Sequence, residues 1–196
     1  MKNIFESDSY NSYINKQKEK TTDPVKIKKW FNEEWQIKID GFKNIFEQYL
    51  DIFDKDGKCI CLGSRTGQEV VSLQELGFKD SIGIDIVPFE PYTIQGDFHN
   101  LLFEDNSVSL VYTNTVDHVK HPDIWSKEIN RVLKVGGYIL MNLQINIPSD
   151  EYTVFYVNNV LDDLLGPYFS GYYCLENKSI PQNVHAMNWE VLIKKQ

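Results

Sequence analysis

The segment Lys58-Cys59-Ile60-Cys61-Leu62-Gly63-Ser64-Arg65-Thr66-Gly67-Gln68-Glu69-Val70-Val71 constrains the fold of this chain more than any other. A short apolar run ends in a turn bearing two glycines, and the turn opens onto a helical pattern. A parallel α/β sheet builds a ligand site in this way. The strand stops, backbone N–H groups are released, and the positive end of the next helix points at the ligand. Gly63 and Gly67 lack Cβ, so the backbone can bend and approach a ligand closely. About twenty residues further on, Ile82-Gly83-Ile84-Asp85-Ile86 is a second apolar run with an acid near its end, where a carboxylate can accept from both hydroxyls of a ribose. Together the two segments point to a cofactor of nucleoside type.

The rest of the composition narrows the class. A chain of 196 residues with 42% hydrophobic content is one domain of ordinary size, able to bury a full core. No apolar stretch approaches the roughly 18 residues that span a bilayer, and Met1–Asp8 lacks the apolar core of a signal peptide. Cys59, Cys61 and Cys174 give neither a disulfide framework nor a metal spacing, so they are expected as packing residues in a reducing cytoplasm, with no metal site and no membrane association. The 28 acids against 20 bases give a net charge of −8. The one basic cluster, Lys16 to Lys29, is diluted by Asp23, Glu33 and Glu34 and reads as a solvated helix face. Duplex nucleic acid is therefore not expected as a partner, and a small-molecule substrate is.

Along the chain, residues 1–22 are polar and read as a flexible arm. Asp23-Pro24 is a helix start, with Asp as N-cap and Pro at the first helical position. A second helix from about Gly41 carries Phe42, Ile45, Phe46, Tyr49, Leu50 and Phe53 at helical spacing. Those helices make up 23–56, and a core over 57–145 follows, alternating strands (58–62, 81–86, 92–95, 108–113, 138–143) with helices (67–76, 123–134). Gly136-Gly137 is expected to end the second of these in the left-handed conformation. The alternation predicts a doubly wound α/β fold, a mostly parallel sheet with helices on both faces. In 146–196 a helix at about 154–165 precedes two β-like runs, 171–176 and 189–194. The linker between these runs is too short for a parallel crossover, so they should pair antiparallel.

Five pieces, in order and spacing, resemble the class I S-adenosylmethionine-dependent methyltransferases, within the small single-domain members of type 11. They are Cys61-Leu62-Gly63-Ser64-Arg65-Thr66-Gly67, Gly83-Ile84-Asp85-Ile86, Gly96-Asp97-Phe98-His99, Asn114-Thr115-Val116-Asp117-His118, and Glu128-Ile129-Asn130-Arg131-Val132-Leu133-Lys134-Val135-Gly136-Gly137. The resemblance implies a seven-stranded, Rossmann-like sheet with an antiparallel C-terminal strand, and S-adenosyl-L-methionine as cofactor. It implies cofactor contacts from Gly63, Ser64, Arg65 and Gly67 beneath the methionine part and from Asp85 and Ile86 at the ribose. Asp97 and Phe98 would meet the adenine, and Asn114 would lie near the reactive methyl. The family's first motif carries an acid where this chain has Cys61 and a glycine where it has Arg65. The run Gly63-Ser64-Arg65-Thr66-Gly67-Gln68-Glu69-Val70 resembles a subset of methyltransferase-like proteins in which that Arg recurs.

Methyl transfer to O or N often needs a base near the working pH. His118, with Asp117 beside it, follows the fourth strand on the side of the methyl; His99 comes from the adjacent loop. These three are the catalytic candidates, against the plainer roles of loop capping and turn structure. Glu69 is accounted for by its place in the first turn of a helix, and Glu128 with Arg131 by a surface ion pair. The helix bearing Trp30 and Trp35 is a candidate lid. A nicotinamide dehydrogenase is disfavoured because its fingerprint needs glycine at the positions of Arg65 and Gln68. The rival that remains is a non-catalytic relative, or an accessory subunit, that binds a partner; an oligomer is compatible with either.

Overall fold

The computed structural model describes residues 8–146, 152–181 and 186–196. Its strands are β1 (Cys59–Leu62), β2 (Ser81–Asp85), β3 (Thr93–Gln95), β4 (Val108–Thr113), β5 (Leu133–Leu143), β6 (Tyr172–Ser179) and β7 (Trp189–Lys195). They form one sheet in the order β3-β2-β1-β4-β5-β7-β6. Pairing is parallel from β3 through β5, and β7 runs antiparallel to both β5 and β6. This is the doubly wound, Rossmann-like sheet the resemblance implies, with the C-terminal pair antiparallel.

The central strands β1 and β4 are buried on both faces, so their successive side chains enter two different cores. Ile60 and Leu62 of β1 pack with Val111, Ile139, Met141, Val191 and Ile193. Helix α5 (Pro122–Val132) covers that face, with the Trp125 ring set edge-on to Phe169. Cys59 and Cys61 face the other way with Leu110, Tyr112, Leu140 and Leu192. Phe42 and Phe46 of α3 (Trp35–Phe46) and Val70 and Leu73 of α4 (Gln68–Glu75) close that second core. The two strand cysteines are thus packing residues, and burial pushes the Cys59 thiol up to about 12.

Three segments depart from expectation. Residues Asp8–Thr22, read as part of an arm, form helix α1 and bury Tyr10, Tyr13 and Thr21; residues 1–7 lie outside the described residues. The helix is polar, yet its two tyrosines, three positions apart, share one face. The Asp23 side chain then accepts from the Val25 N–H and starts α2 (Pro24–Asn32), as its N-cap position predicts. Gly136 is left-handed as expected (φ 79°), but it does not end a helix. Leu133 already has strand geometry, and the glycine lies where the β4–β5 register slips between Val108 and Leu110. The helix expected at 154–165 shrinks to a π-helical stretch, Val160–Leu165, and a single turn, Gly166–Tyr168. Asp163 accepts from the N–H groups of Asn158 and Asn159, and Asn159 from those of Leu161 and Asp162, so side chains fix a cap where helix was expected to continue back.

Gly67 starts α4 with φ 81°, and a Cβ there would lie 2.4 Å from the Cβ of Tyr92. Gly67→Ala should lower the unfolding free energy by about 1–3 kcal/mol in urea titration. Gly77→Ala, with φ 102° but open surroundings, should lose only the backbone part of that, about 1 kcal/mol.

Candidate functional site

Between β1 and β4 the order of the sheet reverses, and open α/β sheets hold ligands beyond the strand ends at such a point. A cavity of about 210 Å³ lies there, walled by residues 63–66, by Gln68 and Glu69, and by Asn114, Asp117 and His118 after β4. A smaller cleft of about 40 Å³ adjoins it, lined by Asp85, Ile86, Phe98 and, from α1, Tyr13 and Thr21. Gly63, Arg65, Lys20, Thr115 and His118 line both.

The loop after β1 is held by β2. The Gly63 N–H donates to the Ile84 carbonyl at 2.8 Å, and the Arg65 N–H to Asp85 Oδ2 at 2.9 Å. Gly63 sits at φ 73° with Thr115 where a Cβ would go, and Arg65 takes φ 45°. Asp85 Oδ1 accepts from the Val87 N–H at 2.9 Å. Burial raises the Asp85 carboxyl above its ordinary value, against the backbone N–H of Val87 and the Arg65 charge. The Arg65 side chain turns across the ring of Trp30, with its guanidinium carbon 4.0 Å from the ring centre. Ser64 meets the Thr93 hydroxyl at 3.2 Å.

Asp97 and His99 are placed differently from the expectation. Neither lines either cavity. Asp97 accepts from Tyr10 Oη, from the His99 N–H and from its ring Nδ1. Burial alone would raise the Asp97 carboxyl, but hydrogen bonds from His99 and Tyr10 hold it below its ordinary value. The His99 ring is fully buried, and its Nε2 accepts from the His121 N–H at 3.2 Å. His99 therefore braces the 97–99 turn and lies outside both cavity linings. Gly67, also outside the cavity wall, serves as the turn that starts α4.

His118 does line both cavities. Its Nε2 lies 2.9 Å from Lys20 Nζ and its Nδ1 3.3 Å from the Tyr152 carbonyl, with Asp117 Oδ2 at 3.5 Å from Nδ1. A lysine Nζ donates to Nε2 in this arrangement, and Nδ1 faces the Tyr152 carbonyl. The Tyr13 hydroxyl donates to the His118 carbonyl at 2.9 Å. Helix α1, not the Trp30 helix, thus covers the cleft, while Trp30 is buried beneath Arg65.

Glu69, expected only to offset the dipole in the first turn of a helix, and Gln68 also reach the cavity wall. Glu69 is only 6% exposed, lines the larger cavity, and leaves Oε2 without a partner among the described residues. A signal was present: Glu69 lies three and four positions before the fully buried Ser72 and Leu73, on the inward stripe of α4. Burial raises its carboxyl from 4.5 to about 7, against its own backbone N–H and the charges of Lys38 on α3 and Arg65. Asp85 of β2 adds to the rise, and Cys61 of β1 and Tyr112 of β4 face it from the sheet.

The folded state therefore holds this proton more tightly than the unfolded chain does. The group's contribution to stability falls as pH rises from about 4.5 to about 7, and the whole loss, about 3 kcal/mol, persists above that. In melts across pH 5 to 8, Glu69→Gln should flatten this fall and be the more stable protein at pH 8, by up to about 3 kcal/mol.

Residues 60–141 match the family model described as a methyltransferase domain. No curated protein matches the chain in sequence. Among solved structures, the chain is similar to the PH0226 protein of Pyrococcus horikoshii OT3, with TM-score 0.66 and 17% identity over 85% of this chain and 93% of that one. It is similar to an S-adenosylmethionine-dependent methyltransferase from Aquifex aeolicus, with TM-score 0.63 and 15% identity over 87% and 97%. A third likeness is to geranyl diphosphate C-methyltransferase from Streptomyces coelicolor A3(2), solved with Mg²⁺, geranyl diphosphate and S-adenosyl-L-homocysteine, with TM-score 0.63 and 10% identity over 90% and 88%. At these identities the structural likenesses carry the fold, and the matched segment carries the relationship. Residues 60–141 thus match a methyltransferase domain, and the sheet built around them has the fold of the solved S-adenosylmethionine-dependent methyltransferase it resembles.

Proposed function

We propose that the chain binds S-adenosyl-L-methionine across the two adjoining cavities and transfers the methyl group to a small molecule. The placement of Asp85 carries the proposal: an acid at the end of β2, clamped by two backbone N–H groups, with Ile86 and Phe98 beside it on the wall of the smaller cleft. Each carboxylate oxygen keeps acceptor capacity for a ribose hydroxyl, and the apolar neighbours suit an adenine. The residues present fit the rest of the cofactor too, since residues of the larger cavity carry polar atoms without a partner among the described residues.

When bound, the cofactor supplies an electrophilic methyl on a sulfonium, so the protein's task is alignment and the handling of one proton. The loop of Gly63, Ser64 and Arg65 and the Asn114 side chain bound the cavity in which acceptor and methyl would meet. His118 is the proposed base. Lys20 occupies Nε2 in the closed arrangement, so Lys20 has to turn aside before that nitrogen can take a proton from an acceptor. Asp117 would then steady the imidazolium. The net charge of −8 favours a small acceptor over a polyanionic nucleic acid, and the neighbour named for geranyl diphosphate acts on a small molecule. We propose a reducing, cytoplasmic setting from the three free cysteines.

One observation favours the rival, a methyltransferase fold retained for partner binding: Tyr10 and His99 already satisfy the Asp97 carboxylate expected at the adenine. Calorimetric titration with S-adenosylmethionine and S-adenosylhomocysteine separates the two. The proposal expects micromolar binding, weakened at least about tenfold by Asp85→Ala. Absence of heat at millimolar ligand would sink it in favour of the rival.

A further inference from the structure

Among the described residues, three buried side-chain atoms lack a hydrogen-bond partner: Arg65 Nε, Gln68 Nε2 and Glu69 Oε2. All three residues line the larger cavity, within five positions of sequence. Buried polar groups are nearly always paired, so three orphans on one wall mark a place where a ligand completes the bonding. They are two donors and one acceptor, and each is fixed. The Thr66 hydroxyl donates to Gln68 Oε1, which leaves the amide nitrogen as the unpaired end. The Arg65 backbone N–H is tied to Asp85 and its guanidinium lies over Trp30. Glu69 is buried at the start of α4, and Lys38, a cation that favours its ionised form, is ion-paired with Glu34 at 2.8 Å.

A ligand that satisfies this wall carries a cationic donor and an anionic acceptor close together, as the zwitterionic end of an amino acid does. We propose that Glu69, Gln68 and Arg65 form the subsite for the cofactor's amino-acid end, Glu69 accepting from the ammonium while Gln68 and Arg65 donate to the carboxylate. The inference rests on the cofactor proposed above and assigns the residues that recognise its charged tail. It also accounts for Cys61. The carboxylate absent from β1 is supplied from α4, and Glu69 lies close enough to Cys61 for its charge to oppose ionisation of the thiol.

The test is calorimetry on the full chain with S-adenosylhomocysteine and with 5′-methylthioadenosine, the same nucleoside thioether without the amino-acid end. Glu69→Gln should weaken S-adenosylhomocysteine by about 10–100-fold and leave methylthioadenosine within about twofold of wild type. Gln68→Met should show the same selectivity at about 5–10-fold. Melting curves of both variants check that they are folded. Equal losses for the two ligands, or no loss for S-adenosylhomocysteine, would overturn the subsite while leaving the cofactor reading intact. A wild-type protein that binds neither ligand would overturn both.

Discussion

The carboxylate of Asp85 holds the site together. One oxygen accepts from the Arg65 N–H and the other from the Val87 N–H, both at 2.9 Å, so a single side chain ties the loop leaving β1 to the chain leaving β2. The loop needs such a tie because three of its residues, Gly63, Arg65 and Gly67, have positive φ, and Arg65 has no glycine's freedom to take it. Once that conformation is fixed, Gly67 starts α4 and the helix carries Gln68 and Glu69 to the cavity wall. An acid at this strand end thus organises the backbone whether or not a ribose lies against it.

The way polar groups are satisfied separates framework from site. Glu190 is fully buried in the sheet, yet it receives hydrogen bonds from Tyr49 at 2.5 Å and Asn142 at 3.2 Å, with Lys178 at 3.4 Å. That network meets the hydrogen-bonding needs of a buried carboxyl. Glu69 has no equivalent among the described residues: burial raises its carboxyl, and Oε2 lacks a partner there. Local rules broken at one place in an otherwise consistent fold are the usual mark of a functional surface.

The sheet was legible because its strands are apolar runs bounded by glycine turns, and because the short 177–186 linker forced an antiparallel end. Asp85, Ile86, Phe98, Asn114 and His118 were legible too, since strand order alone carries them to the cavity edge. The failures have a common cause: side chains whose burial is decided by distant partners. The composition of α1 is that of a solvated segment, and only the docking of Tyr10 on Asp97, 87 positions away, makes it part of the fold. Glu69 conformed to a local rule for helix N-termini, which concealed its inward direction. Gly136 has the backbone expected of it, but the register slip it serves depends on β4, which no local pattern contains.

The fastening of α1 has a thermodynamic consequence for any ligand of the smaller cleft. Tyr10 bonds Asp97, Tyr13 the His118 carbonyl, and Lys20 His118 Nε2, so the helix closes over the cleft with bonds to the groups a nucleoside and an acceptor would use. A ligand that takes the Asp97 carboxylate competes with Tyr10, and its apparent affinity falls by the fraction of molecules in which the helix is closed. A ligand held by Asp85 and the 65–69 wall alone does not compete with Tyr10. In the proposed reading, recognition is divided between a committed end at Asp97 and an uncommitted end at Glu69, and the charged tail is where binding would begin.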